Sequence, residues 1–226
     1  MNTAAIIVAA GKGTRMGNPD KLFTEVAGHP VVGHTWARFD ACEAVAEIVL
    51  VVRQEQETFF RKLASQIKAR KPFKLVVGGK ERQDSVWNGL AALSPDVELV
   101  AIQDGARPCA SDNLIKATFS AAREHGAAVA AQRVTDTVKE SADGERITRH
   151  LDRSRLWAVQ TPQTFRVDVI RRALAAVREK KIVVTDDTAA CELIGQPVKL
   201  VESAEPNPKL TFAEDILVIE RLLRRE

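Results

Sequence analysis

Residues 4–21 read AAIIVAAGKGTRMGNPDK, an apolar run that stops at a glycine-rich turn and is followed by basic side chains. The first six residues, 4–9, are short-chained or β-branched and run through Ala10 into glycine, so they read as a buried strand. Glycine in the turn lets backbone N–H groups approach phosphate oxygens closely. Two common phosphate-binding turns fail against it. A dinucleotide fingerprint needs glycine where Met16 stands and an acidic residue after the second strand, where Val52 and Arg53 stand. A P-loop closes on Gly-Lys-Ser/Thr, whereas Gly17 leads into Asn18 and Pro19. What remains is a glycine turn followed by Arg15 and Lys21, two cations suited to a triphosphate at a strand's carboxyl end. Either cation alone reads as solvated surface charge; together with the turn they point to function.

Outward from this turn, Ile- and Val-rich runs at 47–52, 73–77, 99–102 and 127–131 read as further strands. Between them, 32–42, 54–69, 85–93 and 111–125 carry apolar residues at helical spacing. This alternation predicts an α/β fold, a mainly parallel sheet with helices on both faces. The pattern breaks at 135–153, TDTVKESADGERITRHLDR, which is polar, has no helical stripe and centres on Asp143-Gly144. It reads as a β-hairpin arm inserted into a single domain spanning 1–226, with a disordered surface loop as the plainer alternative. Apolar runs then resume, followed by a helix near 186–194, a strand near 198–202 and a final helix from Phe212 with Ile216, Ile219 and Leu223 on one side.

Bulk properties narrow the class. With 226 residues, 45% of them hydrophobic and 28% charged, the chain has an ordinary globular composition. Its net charge of +3 comes from cations spread along the whole length, so a nucleic-acid partner is not expected and a small anionic substrate fits better. Cys42, Cys109 and Cys191 form no C-x-x-C pair and have no histidine at metal-ligand spacing, so neither disulfides nor a zinc site is expected. The amino-terminal apolar run is too short to span a bilayer and lacks the basic opening of a secretion signal, which predicts a cytoplasmic protein without membrane attachment.

Seven segments together carry a family resemblance. AAGKGTRMG with the following lysine is similar to the signature of sugar-nucleotide pyrophosphorylases. GGKERQDSV at 78–86, QDGARP at 103–108, DTVK at 136–139, DRSRLWAVQTPQTF at 152–165, TDD at 185–187 and NPKLT at 207–211 occur in the order found in 2-C-methyl-D-erythritol 4-phosphate cytidylyltransferases. The likeness spans nearly the whole chain, and the DR…LW…QTPQ…F segment is its most specific part. It implies a Rossmann-like three-layer nucleotidyltransferase fold and transfer of CMP from CTP to a polyol phosphate. By resemblance, Ala10, Gly11, Gly13 and Thr14, with Arg15 and Lys21, would hold the CTP triphosphate and a magnesium ion bound mainly through those phosphates. Gly79, Ser85 and Gly105 would read the cytosine and ribose. Asp104, Arg107 and Thr185 would line the acceptor site, with Lys209 beside the reacting phosphorus. Thr137, Arg153 and Thr161, on or just after the arm, would reach into the partner subunit of a homodimer.

Each residue also has a plainer use. Asp104 can cap a loop, Thr185 can cap the following helix, and Arg153 in a polar stretch reads as solvated. The ordered set of motifs overturns those readings. The chain departs from the family pattern at Asp20, which separates Pro19 from Lys21, and at Lys80, Gln103, Gly105 and Pro206. None of these removes a residue that phosphoryl transfer requires. The rivals are ribitol-5-phosphate cytidylyltransferases, disfavoured by Leu156-Trp157 before the QTPQ segment, and a non-catalytic nucleotide-binding scaffold, which would not need Arg15, Lys21, Arg153 and Lys209 together.

Overall fold

A computed structural model describes residues 2–11 and 21–225. Its centre is a seven-stranded sheet built from β1 (Asn2–Val8), β4 (Glu47–Val52), β5 (Phe73–Val77), β6 (Val97–Asp104), β7 (Ala127–Arg133), β10 (Trp157–Arg166) and β11 (Lys199–Glu202). Two short pairs lie outside it, β2 (Glu25–Val26) with β3 (His29–Pro30), and β8 (Lys139–Glu140) with β9 (Arg149–His150). The order across the sheet is β11-β7-β10-β6-β1-β4-β5. All neighbours run parallel except β10, which is antiparallel to both β6 and β7.

The central strands are apolar on both faces because both faces are covered. Successive side chains of a strand point to opposite sides, so Ala5 and Ile7 join one core cluster while Ala4 and Ile6 join the other. Leu99 and Ala101 against Val100 and Ile102 repeat the alternation in β6. One cluster is closed by α1 (Val31–Ala41), α2 (Glu57–Gln66), α4 (Asp112–His125) and α7 (Asp215–Leu223), through Trp36, Phe39, Phe60, Leu63, Phe119 and Ile219. The other is closed by α3 (Arg82–Ala91), α5 (Val167–Lys180) and α6 (Asp187–Glu192), through Val86, Leu90, Ile170, Leu174 and Ala190. The result is the three-layer α/β architecture that alternating strand and helix signals imply.

The expected helix at 54–69 divides into a 3-10 turn, Gln54–Gln56, followed by α2. The final helix begins at Asp215 instead of Phe212, since the Asp215 carboxylate accepts the Thr211 and Phe212 N–H groups and caps the turn ahead of it. The segment 135–153 carries the β8–β9 hairpin, with nearly every side chain exposed. Its centre is held by Asp143, whose carboxylate accepts from the Glu145 and Arg146 N–H groups. The strand and helix that follow it, β10 and α5, are elements the sequence reading does not resolve. No described helix is long and apolar enough to cross a membrane.

Candidate active site

The parallel strands β1 and β6 both end at one edge of the sheet, where open α/β sheets place their ligand crevice. A cleft of about 780 Å³ opens there, lined by Ala10 and Gly11 after β1, Lys21 and Leu22, residues 79–82 and Ser85 at the start of α3, residues 104–106 after β6, and Lys209 and Thr211. Among the described residues of the lining, four cations, Lys21, Lys80, Arg82 and Lys209, face two carboxylates, Glu81 and Asp104. That balance suits a polyanion.

Small residues keep the cleft open where backbones converge. The Gly105 N–H donates to the Val8 carbonyl (3.0 Å), tying the ends of β6 and β1 together. A Cβ at Gly105 would stand 3.1 Å from that same carbonyl. At the start of α3, the Gly79 N–H donates to the buried Ser85 hydroxyl (3.1 Å), which in turn donates to the Glu81 carbonyl (3.3 Å). A side chain on Gly79 would collide with Asp84.

The polar centre is a chain of four alternating charges drawn from four parts of the sequence. The Asp187 carboxylate accepts from Arg82 Nη1 at 2.7 Å, Arg82 Nε reaches Asp104 Oδ1 at 3.3 Å, and Asp104 Oδ2 accepts from Lys209 Nζ at 2.5 Å. Burial alone would raise the Asp104 carboxyl, but Arg82 and Lys209 reverse this and hold it at about 2, so it stays ionised. Asp187 is more deeply buried, with one flanking cation, and burial leaves its carboxyl above the ordinary value. Its Oδ1 has no hydrogen-bond partner among the described residues.

Lys209 owes its place to the loop after β11. The Leu210 N–H donates to the Ala106 carbonyl (2.9 Å), and Leu210 is fully buried. Asn207 donates through Nδ2 to the Thr161 carbonyl (2.8 Å) and to Gln160 Oε1 (3.1 Å), and its own carbonyl accepts from Arg107 Nη1 (2.7 Å). Arg107 thus clamps the Lys209 loop from behind and is not among the residues lining the cleft.

Of the residues anticipated from sequence, Ala10, Gly11, Lys21, Gly79, Ser85, Asp104, Gly105 and Lys209 come together in this cleft. Gly13, Thr14 and Arg15 lie outside the described residues. Thr161 sits differently from expectation. It is buried in β10, with its hydroxyl accepting from the Asp104 N–H of its own chain (3.1 Å), because the antiparallel strand brings it beside the end of β6. Thr137 and Thr185 are exposed and do not line the cleft; the cap of α6 is Asp186, whose carboxylate accepts the Ala189 N–H, and not Thr185. Arg153 is exposed at the base of the arm, where Nη1 donates to the Thr135 carbonyl (2.6 Å). Arg82 and Asp187 lie inside the motifs at 78–86 and 185–187, yet the family resemblance assigns neither a role. Their signal is a charge of each sign inside two separate motifs.

Among the described residues, no three His, Cys, Asp or Glu side chains cluster as a metal cage. Both Asp104 oxygens already face cations. Among the described residues the cleft offers the Glu81 and Asp104 carboxylates as hard oxygen donors of the kind magnesium takes.

The family profile for 2-C-methyl-D-erythritol 4-phosphate cytidylyltransferase matches residues 3–225. A protein of that name from Pelotomaculum thermopropionicum is 44% identical over 98% of this chain and 94% of its own length. Another from Geobacillus kaustophilus is 42% identical over 99% and 97%. Among solved structures, the 4-diphosphocytidyl-2C-methyl-D-erythritol synthase of Anaerococcus prevotii superposes with a TM-score of 0.87 at 32% identity, covering 99% of both chains. The cytidylyltransferase of Thermus thermophilus superposes at 0.82, also at 32% identity. With its cation-lined cleft at the carboxyl edge of the sheet and its whole length matched, the chain belongs to the 2-C-methyl-D-erythritol 4-phosphate cytidylyltransferase family.

Proposed function

We propose that the protein transfers CMP from CTP to 2-C-methyl-D-erythritol 4-phosphate and releases pyrophosphate, in the non-mevalonate route to isoprenoids. The observation that carries this reading is the convergence of Lys21, Arg82, Asp104 and Lys209 beside Ala10 and Gly11, in a chain of this family. An oxygen of the acceptor's phosphate forms a bond to the α-phosphorus of CTP. The bond from that phosphorus to the β-phosphate oxygen breaks, and its electron pair leaves with pyrophosphate. A phosphate monoester has its second pKa at about 6, so the nucleophile is already anionic at neutral pH and needs no general base. The barrier lies in bringing two anions together and in charge growing on bridging oxygens, which fixed cations offset.

Lys21 and Arg15 hold the triphosphate in this reading, Gly79, Ser85 and the Gly105 backbone read base and ribose, and Lys209 sits at the reacting phosphates. Asp104 is the acceptor for substrate hydroxyls, because it remains an ionised carboxylate at the cleft wall. The chemistry supplied by bound magnesium is charge neutralisation on the pyrophosphate. Alignment of both substrates contributes roughly 7 to 11 kcal/mol of the barrier reduction. The unit acts as a homodimer in which Thr137 and Arg153 of each arm complete the neighbour's acceptor site. Its three free, buried thiols suit the reducing cytoplasm.

The test is pyrophosphate release with magnesium, each of the four nucleoside triphosphates and a panel of polyol phosphates. CTP with methylerythritol phosphate should be fastest by a wide margin, since a site that hydrogen-bonds one base leaves buried polar groups unpaired with another. Faster turnover of ribitol 5-phosphate would move the chain to the related specificity. Equal rates with UTP and a hexose 1-phosphate would overturn the reading.

A further inference from the structure

Arg82 stands at the first residue of α3, lines the cleft, and pairs with both the buried Asp187 carboxylate and the cleft-facing Asp104 carboxylate. Asp187 is 1% exposed and opens α6, on the far side of Arg82 from the cleft. It is fixed from behind as well. Its N–H donates to Gln163 Oε1 (3.1 Å), and Gln163 Nε2 donates to Asp186 Oδ2 (2.9 Å), so β10 sets where α6 begins. A guanidinium presents its N–H groups in a rigid fork, so a partner on one side decides where the other points. Here Nη1 is held by Asp187 and Nε is thereby aimed at Asp104 Oδ1.

We infer that Asp187 is a positioning residue: acting through Arg82, it fixes the orientation of the Asp104 carboxylate that receives the acceptor substrate, without touching either substrate. The inference rests on the proposed role of Asp104. Without the Asp187 anchor, Arg82 is free to swing onto Asp104 with two donors, withdrawing the carboxylate from substrate hydroxyls. The nucleotide half of the cleft, built on Gly79, Ser85 and Lys21, has no described contact with Asp187 and keeps its geometry.

The experiment compares steady-state constants of wild type with Asp187→Asn, Asp187→Glu, Arg82→Gln and the Asp187→Asn/Arg82→Gln double variant, using CTP and methylerythritol phosphate. Wild-type turnover of that pair tests the functional reading; the inference is read only from differences among variants. Asp187→Asn should raise KM for the acceptor about tenfold, equivalent to ~1.4 kcal/mol, while KM for CTP moves less than twofold. Asp187→Glu should restore most of the acceptor affinity. The double variant should be no worse than Arg82→Gln, because both changes break one relay. Additive losses, or equal rises in both KM values, would overturn the inference, since they mark Asp187 as general structural support. Should Asp187→Asn fail to fold, Arg82→Lys decides the matter: it keeps the charge beside Asp187 and loses the second reach to Asp104. A selective acceptor KM rise then supports the relay, and unchanged constants reject it.

Discussion

Burial raises the Asp104 carboxyl, yet Arg82 and Lys209 bring it down to about 2, below its unfolded value of about 3.9. A group depressed in the folded state contributes stability that is present above its unfolded pKa and lost as pH falls towards the folded one. The contribution here is of order 2 kcal/mol, and it disappears between about pH 4 and pH 2. Asp187, displaced upward, acts in the opposite sense, so the two are separated by comparing wild type with Asp104→Asn, in which Asp187 is common. The stability gap between them in urea unfolding should shrink as pH is lowered from 5.5 to 3. A gap that stays constant over that range contradicts the account. At this scale the sequence is readable where a motif names a residue that the fold brings to the cleft, as with Gly79, Asp104 and Lys209. It was silent on Arg82 and Asp187, because an ion pair across 105 positions leaves no local spacing to read.

The elements show a similar division. Strands β1, β4 and β6 are legible because residues 4–7, 48–52 and 99–102 within them are apolar and buried on both faces. β10 is not, because its buried residues include Gln160, Thr161, Gln163 and Thr164, each satisfied by a specific partner. No hydrophobic period survives such a composition. The arm was legible from its turn and polarity. Its paired strands are two residues each and nearly all exposed, and an isolated two-stranded hairpin is marginal in water. A neighbour that covers it would supply what it lacks, in keeping with the proposed homodimer. Arg153→Ala and Lys209→Ala proteins, each nearly inactive alone, should then recover activity when refolded together. Half of randomly paired dimers are mixed and each holds one intact site, so recovery should approach about one quarter of wild type. Mixed dimers proven by mass spectrometry but without activity would place Arg153 in service of its own subunit.

For the molecule as a whole, alternating strands and helices announce layers but not strand order. The position of β10 between β6 and β7 follows from long-range pairing that no local signal carries. Close approach of layers is likewise visible only in three dimensions. Gly89 of α3 lies against the sheet, where a Cβ would stand 2.8 Å from Ile6 Cγ2 and 3.1 Å from Val51 Cγ2. Gly89→Ala gains up to about 1 kcal/mol of helix propensity, but overpacking a filled core costs about 1 to 3 kcal/mol. The variant should therefore have a lower urea midpoint, and a higher one would show slack between α3 and the sheet.

The single reversed strand also has an engineering consequence. Because β10 runs against its neighbours, the chain leaves β7 and re-enters β10 at the same edge of the sheet, the edge that holds the cleft. Material added at the hairpin tip, around Asp143 and Gly144, is hung from two adjacent anchor points and crosses no core. Doubling the length of such a loop adds only about 0.6 kcal/mol of closure entropy. A binding peptide or a fluorescent reporter spliced into that tip would thus be carried beside the substrate edge while the layers beneath fold as before.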